Sequence, residues 1–192
     1  MEGLEFKSVS EGDFRDFARH HATSPEIGRI GTYLDDTLEV KGEPRLFGLY
    51  GCTELCAVVC CWVGPLNIGD VHVCKLDSVI VHDRLRKRGL GSILVYQAFL
   101  DVVTEPGLEI AKIYTHAVHP ATVRMLSRLQ FSKPPPLGAP LCGVDLSGAN
   151  RERFINLCRK GVVACMTPLK LQCSFCKKGD RRARPWCKSA IR

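Results

Sequence analysis

Six consecutive residues, Arg86-Lys87-Arg88-Gly89-Leu90-Gly91, combine what an anion site needs: backbone N–H groups that can converge, and formal positive charge. Glycines at 89 and 91 clear side chains from the turn, so its N–H groups can aim at one place. A stretch with apolar residues at helical spacing (Leu90, Ile93, Leu94, Ala98, Leu100) follows at once. A helix starting there points the positive end of its dipole at the same spot. Arg84 adds a further cation just upstream. The spacing lacks the third glycine of a dinucleotide fingerprint and the Gly-Lys-Ser/Thr of a P-loop. A pyrophosphate suits such a turn; an ordinary strand-to-helix loop can show the same glycine spacing and is the plainer alternative.

A second group of reactive residues lies near the C-terminus. Cys173 and Cys176 form a two-residue-spaced pair, the usual knuckle for zinc, with Cys165 before it and Cys187 after it. Together the four thiolates would make a closed tetrahedral site; a redox pair or unliganded thiols are the other readings. Around them run Lys177, Lys178, Arg181, Arg182, Arg184 and Lys188, interleaved with Phe175 and Trp186. That pattern suits phosphate contacts and base stacking, and so RNA; a solvated basic tail, or one docked on the protein's own acidic body, is the alternative. The charge divides accordingly. Residues 149–192 carry 12 Lys and Arg against 2 Asp and Glu, whereas residues 1–148 carry 15 against 18, so the net charge of +7 originates in the tail. A body over 1–148 and a basic cysteine-rich appendage over 149–192 are expected.

The elements that position the glycine turn can be read from periodicity. Residues 4–9 alternate as a strand, and Ser10 opens a helix with Phe14, Phe17 and Ala18 on one side. A second helix is expected over 25–38. Strands over 46–50 and 56–63 flank a hairpin signal at 51–54. The strand 71–82 feeds the glycine turn, the helix 89–103 leaves it, and a strand follows over 110–115. A helix over 120–129, a short strand starting at Phe131, a strand over 141–146 and a helix over 151–159 complete the chain. Strands and helices alternate only in part, so a mixed α/β sheet with helices on both faces is expected.

Arg86-Lys87-Arg88-Gly89-Leu90-Gly91, directly after Leu76-Asp77-Ser78-Val79-Ile80-Val81 and before a long apolar helix, resembles the coenzyme A motif of the GCN5-related N-acetyltransferase (GNAT) superfamily. The order of elements over about 4–146 is similar too. The resemblance implies a mostly antiparallel GNAT sheet and an acyl-CoA cosubstrate, acetyl-CoA above all. That cosubstrate would be held by Val79, Ile80 and Val81 and by Arg86, Lys87, Arg88, Gly89, Leu90, Gly91 and Ser92. It implies direct attack by an amine, the acceptor being a protein, a small molecule or an aminoacyl-tRNA. The attacking amine must be neutral, so a base is needed. Asp77 is the first candidate, with an ion pair to Lys75 as its plain reading. His116 and His119 come next, since imidazole titrates near working pH. The family's closing helix usually carries Asn, Tyr and then Gly-Phe. Here His119, Leu126 and Gln130-Phe131 hold those places. Leu126 lacks the hydroxyl that protonates the leaving thiolate in many members, which motivates a second expectation, a CoA-binding or nucleic-acid-binding protein on the same fold without turnover.

Composition bounds the rest. With 45% hydrophobic and 24% charged residues a packed core is expected. No run approaches the ~20 apolar residues of a membrane span, and the N-terminus lacks the basic and apolar regions of a secretory signal. The cysteine count of 11 is odd, and Cys52, Cys56, Cys60, Cys61 and Cys74 sit in apolar context. Buried free thiols in a reducing, cytoplasmic compartment fit better than a disulfide framework.

Overall fold

The computed structural model describes residues 4–22, 42–51, 54–65, 71–116, 120–132 and 141–166. Six strands form one sheet in sequence order: β1 (Leu4–Ser8), β2 (Glu43–Gly51), β3 (Glu54–Pro65), β4 (His72–Val81), β5 (Ile110–His116) and β6 (Leu141–Asp145). Only β4 and β5 pair in parallel; every other neighbouring pair is antiparallel. Among the described residues four α-helices accompany them: α1 (Glu11–His21), α2 (Leu90–Thr104), α3 (Pro120–Arg128) and α4 (Ala149–Met166). This is the mixed sheet with helices on both faces that the sequence implies. The helix expected over 25–38 lies outside the described residues.

One face of the sheet is covered by α1. Ser10 caps the helix, its hydroxyl oxygen accepting from the Asp13 N–H at 3.1 Å. Phe14, Phe17 and Ala18 then pack on Leu46, Val58, Cys60, Trp62 and Ile80. On the other face α2 is apolar on every side, with nine of its residues buried. Such a helix must be covered twice: it lies between the sheet and α4, whose Phe154, Ile155, Cys158 and Val162 join the same core. The sequence signal for α4 stops at Arg159, before Gly161, yet the helix runs on to Met166. Gly161 is a contact rather than a stop. A Cβ there would meet the Tyr96 ring at 2.5 Å, so the missing side chain lets α2 and α4 close together.

The strand expected from Phe131 does not form within the described residues. Phe131 instead turns into the core against Phe99 and Phe154, and Ser132 makes one backbone bond, its N–H donating to the Gly143 carbonyl at 2.9 Å. The chain leaves α3 through a left-handed cap. The Phe131 N–H donates to the Leu126 carbonyl and the Gln130 N–H to that of Ser127, with Gln130 at φ 62°. This is the bond pattern of a Schellman cap, whose left-handed residue is usually glycine. Gln130→Gly should therefore stabilise the protein by about 1 kcal/mol. The check is the midpoint of urea unfolding, which should rise at unchanged slope.

Candidate active site

The site begins where β4 and β5 part. Their parallel pairing runs from His72 opposite Ile110 to Leu76 opposite Thr115 and ends there, while among the described residues β4 continues to Val81 on β3 alone. The parting coincides with a bulge: Cys60 lies opposite Ser78 and Cys61 opposite Leu76, which leaves Asp77 as the extra residue. The bulge also exchanges the faces of the strand. Cys74 and Leu76 lie in the α2-side core, and strict alternation carried through Asp77 would put Val79 and Val81 on the α1 side. They pack instead on the α2 side, and Ile80 is buried under α1.

Backbone direction follows by alternation. The His82 N–H donates to the Cys56 carbonyl of β3 at 2.9 Å. Ile80 therefore also turns its backbone towards β3, and Val79 and Val81 turn theirs to the open edge. At that edge the Val81 carbonyl already accepts from Arg86 Nε at 3.2 Å.

Beyond β4 the chain makes a short 3₁₀ turn (Asp83–Leu85) and then the glycine-rich segment. Lys87 and Gly89 both adopt left-handed conformations, at φ 62° and 83°. The first helical bond of α2 runs from the Ile93 N–H to the Gly89 carbonyl at 3.0 Å. The N–H groups of Gly89, Leu90, Gly91 and Ser92 thus have no partner inside the helix, and Gly89 offers no side chain to cap them. Leu85 and Leu90 are buried and anchor the turn to the core. At Gly91 a Cβ would stand 3.3 Å from Val81 and 3.5 Å from Val79, so the helix start rests on the two valines that edge the fork. Arg84, Lys87 and Arg88 are exposed around it. Arg86 is engaged within the protein: besides Val81 it pairs with Asp83 at 2.8 Å and donates to the His21 carbonyl, which ties α1 to the turn. The arrangement is a concave set of N–H donors at a helix dipole, ringed by cations and continuous with an unpaired strand edge.

Asp77 is half-buried at the mouth of the fork, close enough for its charge to help raise the Cys60 thiol after burial itself. The backbone of His116 ends β5 opposite Leu141, and His119 lies outside the described residues. Leu126 is 1% exposed and belongs to the core. Tyr96, which no motif or spacing singles out, is buried with its hydroxyl pushed up by burial and held by Arg128. The buried cysteines are inert in the sense expected. Burial pushes Cys158 up to about 12, and Cys61, hydrogen-bonded to Cys74, is also raised. Of the four tail cysteines only Cys165, on α4, is described, and burial raises its thiol against the pull of Arg128. Among the described residues no three His, Cys, Asp or Glu side chains cluster as metal ligands, and no helix is long and apolar enough to cross a membrane.

A histidine pair buttresses the turn. The His21 and His82 rings lie 4.1 Å apart, and His82 Nδ1 caps the 3₁₀ turn by accepting from the Arg84 N–H. Burial first, and then the His21 imidazole, hold His82 below the ordinary value of 6.5, with Asp83 opposing. A depressed histidine favours the neutral form in the fold. Its stabilisation is whole above pH about 6.5 and declines as the pH falls below it, because the unfolded chain then binds more protons. Stability in urea should accordingly drop between pH 7 and 5.5, and His82→Asn should remove part of that drop.

An open sheet with a forked β4/β5 edge and an N–H cradle at the following helix defines an acyl-CoA transferase fold. The sequence model of the acetyltransferase (GNAT) family matches residues 12–131, and the chain belongs to that family. Solved structures agree in fold. AtaTR bound with acetyl-CoA aligns with a TM-score of 0.58 at 14% identity, covering 80% of this chain and 99% of that one. AtaT complexed with acetyl-methionyl-tRNAfMet aligns at 0.51 and 13% identity, covering 74% and 95%. A GNAT-family protein from Desulfovibrio desulfuricans, described as a putative acetyltransferase, aligns at 0.54 and 16%, covering 75% and 99%. No curated protein matches the chain.

Proposed function

We propose that the protein transfers an acetyl group from acetyl-CoA to an amine by direct attack. The observation that carries this is the coincidence of the fork and the cradle. An unpaired strand edge at Val79 and Val81 is what a pantetheine arm would extend, and the N–H groups of Gly89, Leu90, Gly91 and Ser92 lie where its pyrophosphate would rest. Lys87 and Arg88 would screen the phosphates. A backbone N–H at the fork would polarise the thioester carbonyl as charge develops on its oxygen. Asp77, at the point where the strands part, would take the proton of the incoming amine. His116, the last residue of β5, and His119, which lies outside the described residues, are the second choice for that role.

Leu126 supports a second reading, a CoA binder without turnover, because the site carries no tyrosine where many family members keep one. Thiol release from acetyl-CoA, measured against a panel of small amines, peptides and aminoacyl-tRNA, decides between the two. AtaT, similar in fold, is known bound to acetyl-methionyl-tRNA, which places aminoacyl-tRNA in the panel. Release with one acceptor class establishes the transferase, whereas tight acetyl-CoA binding with none would leave the binder.

The basic part of 149–192 that follows α4 is proposed to contact RNA and to close on zinc through Cys165, Cys173, Cys176 and Cys187, while α4 itself belongs to the core of the body. Metal analysis of reduced protein should return about one zinc per chain; protein without zinc would remove the site.

A further inference from the structure

A second cavity, of about 380 Å³, opens between the end of α3, the edge strand β6 and the first turns of α4. It shares no lining residue with the cradle. The volume is at the lower end of small-molecule sites. Leu129 and Phe154 give it an apolar floor, and Lys112, Arg153, Asp145 and Gln130 stand around the mouth.

Three features go beyond what packing requires. Gly143 lies opposite Tyr114 on β6, diagonal to Lys112, and a Cβ there would meet Lys112 Cε at 3.1 Å. The glycine therefore leaves room for the lysine stem to lie across β6 beside the opening. Gln130 holds its left-handed backbone where glycine would be easier, so its side chain is kept on the rim at a cost in stability. The charge is also unequal: Lys112 lies across from Asp145 on β6, and Arg153 is a second cation on the rim, so the lining holds two cations to one carboxylate.

We infer that this cleft binds a small organic monoanion, a carboxylate on a short aryl or alkyl body. Its charge would meet Lys112 and Arg153, its second oxygen the Gln130 amide, and its body the Leu129–Phe154 floor. Two cations against one acid select a single negative charge, and the apolar floor selects against bare inorganic ions.

The test is titration of the full-length protein, followed by amide NMR shifts, with phenylacetate and hexanoate as probes and benzylamine and inorganic phosphate as controls. Saturable shifts at Lys112, Gln130 and Gly143 with the acids, and with neither control, are expected. Arg153→Gln should weaken phenylacetate by about tenfold. Gln130→Gly should bind it several-fold more weakly while being the more stable protein, a combination a merely structural role would not give. Acetyl-CoA affinity, measured alongside, should be unchanged in both variants, so that failure here is separable from failure of the cradle. The inference is overturned if the acids do not saturate at millimolar concentration, if benzylamine binds as well, or if Gln130→Gly binds as the natural protein does.

Discussion

Acetyl-CoA affinity should fall by about a hundredfold or more in Gly89→Glu, in a protein that is still folded. The two halves of that expectation have separate physical grounds. A Cβ at 89 meets nothing within 4 Å, so the new side chain displaces no core atom. Its cost to folding is the left-handed backbone at φ 83°, about 1 kcal/mol, against which a carboxylate at a helix start contributes roughly 0.3–1 kcal/mol. Binding has no such compensation. The carboxylate would take up the N–H groups of the cradle and set a negative charge where two phosphates must sit. Gly89→Ala, with the backbone strain alone, should lose far less. Calorimetric titration of acetyl-CoA, with urea midpoints for both variants, measures the two halves. Unchanged affinity in Gly89→Glu would mean the pyrophosphate lies elsewhere.

Asp77→Asn should lower kcat about a hundredfold or more and leave acetyl-CoA affinity within twofold, once an acceptor is in hand. The amide keeps the shape of the carboxylate at the bulge and removes only its capacity to take a proton. A fall in kcat/KM that is recovered at high pH, where more of the amine is already neutral, is the signature of a lost base. If Asp77 serves the bulge alone, both acetyl-CoA binding and urea stability should move and the pH profile should not. His116→Gln, run in parallel, tests the other side of the fork.

Much of this was legible in the residues because it is local. Ser10 with Asp13 announces α1, and Gly89 with Gly91, between a β-branched run and an apolar helix, announces the cradle. The strands β2 to β5 fall within three residues of their periodicity at each end. What escaped was set by neighbours in space. The bulge at Asp77 is a mismatch between two strands and leaves no mark in the period of either one. Gly161 reads as a helix stop unless the Tyr96 ring that lies on it is known. Phe131 carries a strand-like apolar signal, but the pull of Phe99 and Phe154 takes it into the core. Arg86 reads as a phosphate ligand by type, and its place beside Val81, Asp83 and His21 makes it a tie between α1 and the turn.

The extra residue at Asp77 gives β4 one residue in reserve. A deletion of Asp77 would straighten the strand while Ser78 stays opposite Cys60, so Val79 and Val81 would keep the α2 side and Ile80 the α1 side. The open edge would show the same amides, and what is lost is the carboxylate at the fork. A second deletion between Leu76 and Val81 would find no such reserve and would exchange the faces of every residue after it.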